Sequence, residues 1–154
     1  LLTDPENYDA RSELAWASAM AENGVLKIGK VTDFQDHQIE HQLGAYTDCA
    51  HGAGLAAISI LYYKYIAPYG KDKFVRFAKN VWGINTDNMS ADDAISAGIE
   101  KLKEFIVLLG LPLTLRELGA TEDMLEPIAN STVLGGGYKQ MKPEDILKVL
   151  KECF

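Results

Sequence analysis

All three histidines of this chain fall within the eighteen residues Gln35 to Gly52, as His37, His41 and His51, spaced H-x3-H-x9-H. The same window contains no Lys or Arg. Neutral imidazole is the commonest protein ligand for divalent transition metals, so a histidine cluster free of competing positive charge has the makings of a metal site. A helix from Asp36 to about Leu43 would set His37 and His41 one above the other, at i and i+4. Gly44 would then cap its C-terminus, and His51 would open the next helix and turn back toward the pair. Spacing alone leaves two readings open: a metal site, or histidines that merely pack or sit at the surface.

The elements that must position these rings read as helices throughout. Asn7 is a suitable N-cap for a helix from Tyr8 to Glu22, which Asn23-Gly24 stops. Ala10, Leu14, Ala17 and Ala21 recur there at helical spacing, with Trp16 beside them, and are expected to be core. Val25 to Thr32 reads as a loop. The run Leu55 to Tyr63 is apolar on nearly every side, as a helix buried all round should be, so His51 to Ile66 is expected at the centre. Pro68 and Gly70 end it.

Asp72 to Trp82 is amphipathic, with Phe74, Phe77, Ala78 and Val81 on one face. Ser90 to Asp93 has the form of a capping box for a helix reaching Leu109, its Ile95, Gly98, Leu102, Phe105 and Leu109 facing inward. Thr114 to Glu117 is a second box on a short turn, and Thr121 caps a short helix carrying Met124, Leu125 and Ile128. Gly135-Gly136-Gly137 has no strand before it and no Gly-Lys-Ser/Thr after it, which excludes a phosphate loop and leaves an ordinary one. Pro143 starts a last helix with Ile146, Leu147 and Leu150 as its stripe. No period-2 strand, repeat or low-complexity segment is present. The fold class is all-α, about seven helices of unequal length.

Bulk properties set limits. The 154 residues, 47% hydrophobic and 24% charged, fit one ordinary globular domain. A net charge of −7 argues against a nucleic-acid partner. No apolar run is long enough to span a membrane, and no signal segment opens the chain. Cys49 and Cys153 form no C-x-x-C pattern and read as reduced thiols of a cytoplasmic protein. The chain opens Leu1-Leu2-Thr3 without Met, as a piece of a longer protein would.

With these helices placed, the chain resembles the C-terminal helical domain of the iron-containing (group III) alcohol dehydrogenases, nearest their butanol-dehydrogenase branch. Asn7-Tyr8-Asp9-Ala10-Arg11, the His37-to-Gly54 block, Phe74 to Ile84 and the closing Gly-rich loop with its helix carry the likeness, and the histidine block is its specific part. The resemblance implies that His37 and His51 match the family's last two ligands to a divalent metal, iron or zinc. It implies that His41 lines the site near the nicotinamide of NAD or NADP without ligating, and so serves in both catalysis and cofactor binding.

The family's first two ligands, an Asp and a His on an earlier helix, and its nucleotide-binding α/β domain have no counterpart in these residues. Residues 1–154 are therefore expected to be one helical metal-site domain, a fragment lacking that N-terminal domain and the first helices. The resemblance implies reversible hydride transfer between a primary alcohol or aldehyde and a nicotinamide in the parent, itself a possible homodimer. The 154 residues alone are expected to be inactive, since His37 and His51, with Asp36 or Glu40 and waters, would make a weak site. The other readings are a stand-alone helical metal-binding module and a structural interaction domain.

Overall fold

The computed structural model describes residues 1–154, which divide into two compact units, Leu1–Thr32 and Asp33–Phe154. In the first unit, α1 (Tyr8–Glu22) is capped by Asn7, whose Oδ1 accepts from the Ala10 amide at 2.9 Å. This satisfies one of the four amides that a helix start leaves without partners. A 3-10 turn at Val25–Lys27 follows where a plain loop was expected, begun by Gly24 in the left-handed region.

The expectation that α1 is core does not hold within this chain. None of its residues is buried, and Trp16 is 67% exposed. Thirty-two residues with one helix have no second layer to bury an apolar face against.

The second unit holds six helices: α2 (Gln35–Thr47), α3 (His51–Ile66), α4 (Lys71–Trp82), α5 (Ala91–Leu108), α6 (Glu122–Ser131) and α7 (Pro143–Cys153). As the apolar run predicts, α3 is central and packs against α2, α5 and α7. Its Ala56, Ala57, Ile58, Ile60, Tyr62 and Ile66 are buried, on more than one face. α4 pairs with α5, and α6 packs on α7 and α2. No strand forms; one isolated antiparallel bridge joins Asp33 to Gly136.

Several local expectations need adjustment. α2 runs through Gly44 and ends at Asp48, a left-handed residue whose amide donates to the Gly44 carbonyl. Asp tolerates that conformation through its short polar side chain, so glycine was not required at the cap. The inward assignments of Val81, Phe105 and Leu109 fail, since all three are exposed. Each lies at or near its helix's C-terminal end. Ser90 caps α5 as expected, its Oγ accepting from the Asp93 amide at 3.1 Å, but the box is not reciprocal: Asp93 Oδ2 accepts from the Ser90 hydroxyl at 2.6 Å instead of from its amide. In the Thr114 box, Glu117 Oε2 accepts from the Thr114 amide at 2.9 Å.

α2 is held by a side chain whose polarity alone would have placed it outside, although it shares the inward stripe of Ile39 and Leu43. Gln35 is fully buried at its first position. Its Nε2 donates to the Lys139 carbonyl at 2.8 Å and to the Tyr62 hydroxyl, and its Oε1 accepts from the Met141 amide at 2.9 Å. A buried amide is stable only when its donors and acceptor are matched this way. Gly137 of the Gly-rich loop makes room for this contact: with φ at +87°, a Cβ there would lie 2.4 Å from Gln35 Nε2. With Ile39 and Leu43 buried on the same side, α2 turns His37 and His41 to its other face.

Candidate metal centre

The site lies where the outward face of α2 meets the start of α3. His37 and His41, one turn apart, have ring centroids 6.4 Å apart and nearly perpendicular planes. His51, the first residue of α3, brings its ring to 5.3 Å from His37 and 5.6 Å from His41. All three sequence-predicted residues are thus together. The short turn Asp48–Ala50 between the helices reverses the chain and returns His51 to the pair.

Two neighbours that the spacing did not single out shape the cluster. Phe34, immediately before α2, stacks on His37 with centroids 4.3 Å apart and planes at 16°, and meets His41 edge-on at 6.4 Å. Its position three residues before His37 was the available signal. Glu40 is the second. It is 2% exposed, and its Oε2 receives His51 Nδ1. Sequence reasoning named Glu40 only as an auxiliary ligand, because carboxylates on a polar helix normally face water. Glu40, His41 and His51 each place one potential ligand atom within 4.8 Å of the others.

Beside His37 lies a cavity of about 310 Å³, walled by Phe34, His37, Tyr63, Phe74, Phe77 and Tyr138 among others. Asp36 reaches it from α2. That carboxyl is pushed up to about 7, chiefly by burial; the Ser59 hydrogen bond lowers it, and the charges of Asp33 and Glu40 raise it further. Its Oδ2 accepts from Ser59 Oγ at 3.2 Å and its Oδ1 has no hydrogen-bond partner. Burial also raises the Tyr63 phenol, to about 12.

A family model described as Fe-containing alcohol dehydrogenase family, C-terminal, matches residues 1–154. The chain belongs to that family. Within it, the chain is 39% identical to NADH-dependent butanol dehydrogenase B of Clostridium acetobutylicum over 97% of its own length and 39% of that protein. Butanol dehydrogenase A of the same organism is 37% identical over 97% of this chain and 40% of its own.

The crystal structure of NADH-dependent butanol dehydrogenase A from Thermotoga maritima superposes with a TM-score of 0.89 at 30% identity, over 98% of this chain and 40% of that one. Escherichia coli YqhD, 24% identical over 99% of this chain and 40% of that one, has the same fold, with a TM-score of 0.91. The chain therefore spans about 40% of the length of these family members. The all-helical expectation and the resemblance to this family both hold.

Proposed function

We propose that this chain is the metal-site part of a metal-dependent, NAD(P)H-dependent dehydrogenase that interconverts primary alcohols and aldehydes of the butanol type. The observation that carries the reading is the meeting of His37, His41 and His51, with all ring centroids within 6.4 Å, in a member of the iron-containing family. The relatives named as NADH-dependent butanol dehydrogenases supply the substrate class and the nicotinamide. The donor set suits iron or zinc: clustered imidazoles, a buried carboxylate behind one of them, and no lysine or arginine in the window.

In this reading His37 and His51 hold the metal, and the remaining ligands come from outside this chain. When bound, the metal supplies Lewis-acid polarisation of the substrate oxygen, and the nicotinamide supplies or takes the hydride. Phe34, stacked on His37, restrains the tilt of that ring. His41 is exposed on the same face and moves a proton between the substrate oxygen and water, the general acid–base task that an imidazole performs most often. The aromatic walls of the cavity beside His37 receive the alkyl tail and keep water from it. The partners are the alcohol or aldehyde, the N-terminal nucleotide-binding domain of the same protein and a second copy in a homodimer.

A second assignment is favoured by the grouping of Glu40, His41 and His51 ligand atoms, which would make Glu40 and His41 ligands in place of His37. Zinc titration of the His37→Ala, His41→Ala and His51→Ala variants separates the two. The proposal expects at least about tenfold weaker zinc binding for His37→Ala and His51→Ala, since outer-shell changes alone cost that much. His41→Ala should bind as the wild type does. Loss at His41 with none at His37 selects the second assignment, and no loss in any variant leaves histidines that only pack.

A further inference from the structure

The metal reading assigns no task to Glu40, although burying a carboxylate is costly unless something offsets it. Three features converge on this side chain. Its Oε2 receives His51 Nδ1 while the rest of the group is almost wholly out of water. It lies against Gly54 near the start of α3, a helix with no side-chain cap at Ala50, and a carboxylate close to a helix N-terminus is favoured by the helix dipole. Finally, the room it occupies exists only because residue 54 is glycine. A Cβ there would stand 2.6 Å from Glu40 Oε1 and 2.7 Å from its Cγ. The first turn of α3 is thus shaped around one carboxylate, and that carboxylate is aimed at one ring nitrogen.

An imidazole that donates a proton from Nδ1 carries its free lone pair on Nε2. Resting on the metal reading above, we infer that Glu40 is a positioning residue: it holds His51 in the Nδ1–H tautomer, so that Nε2 is the atom offered to the metal. It acts through His51 and does not itself ligate. Fixing the tautomer and the ring angle removes a rearrangement that binding would otherwise require, and the negative charge behind the ring makes Nε2 a better donor. His51 needs this support more than His37 does: it stands half-exposed at a helix start, whereas His37 is stacked on Phe34.

The test uses the full-length protein in which this chain occurs, first free of metal and then titrated with zinc. At about pH 8, nitrogen NMR of His51 should show a protonated Nδ1 and an unprotonated Nε2. Glu40→Ala should give a mixture of tautomers. Zinc affinity should fall roughly 10- to 100-fold in the isosteric Glu40→Gln variant, with helical circular dichroism unchanged. Gly54→Ala, which displaces the carboxylate without altering any charge, should weaken zinc binding similarly, and should add nothing in a Glu40→Ala background.

Wild-type affinity in Glu40→Gln, an unprotonated Nδ1 in the metal-free protein, or loss of the Nδ1 proton when zinc binds would each overturn the inference. The last outcome would make Nδ1, not Nε2, the atom bound to zinc. If the wild type bound no zinc, the metal reading would fall and this role with it, while the tautomer seen without metal would show that the Glu40–His51 contact itself persists.

Discussion

Asp36 is the residue whose placement most departs from what its chemistry prefers. Its ordinary carboxyl value of 3.8 becomes about 7 in the fold, and the causes that raise it are burial and the nearby carboxylates Asp33 and Glu40. Below about pH 4 the group is protonated whether the chain is folded or not. Between there and about pH 7 the folded state binds the extra proton, so stability falls as pH rises, and above that range the full penalty remains. Its ceiling is about 4 kcal/mol. Asp36→Asn removes the titration, so in metal-free protein the variant should gain on the wild type by up to that amount across the same range. Urea unfolding of both at acid and at neutral pH measures it, and parallel curves would mean that water reaches the carboxyl.

At the scale of elements, the pairing of α4 with α5 depends on the absence of one methyl group. Gly98 lies in the middle of α5, where glycine costs about 1 kcal/mol relative to alanine. A Cβ there would come within 2.8 Å of the Ala78 Cβ and 3.1 Å of its Cα. Backbone lies directly behind that contact, so the helices would have to separate. Gly98→Ala should therefore destabilise by about 1–3 kcal/mol despite its better helix propensity, read as a lower thermal midpoint. A rise would show that the two helices slide apart freely. The capped termini at Asn7 and Ser90 were legible in sequence because a cap is a local bond between residues three apart. The end of α2 was not, because Asp48 supplied a conformation usually left to glycine.

For the whole molecule, every core residue comes from the second unit; the buried hydrophobics begin at Ile39 and end at Cys153. Residues 33–154 carry a complete core of their own and should unfold in one cooperative transition when prepared alone, read as a single sigmoidal loss of helical circular dichroism on heating; a gradual, non-cooperative loss would show that this core is not sufficient.

The sequence by itself determined the helical class, the element order and the three histidines, because 3.6-residue periodicity and H-x3-H-x9-H spacing are properties of short windows. It also carried the resemblance to the iron-containing dehydrogenases. Only the tertiary structure decided that Trp16 lies outside the core, that Gln35 and Glu40 are buried, and that Glu40 meets His51 in a recess left by Gly54. The physical reason is that a polar side chain becomes stable inside a protein when a partner from another element is fixed opposite it. No local pattern along the chain encodes where that partner will be.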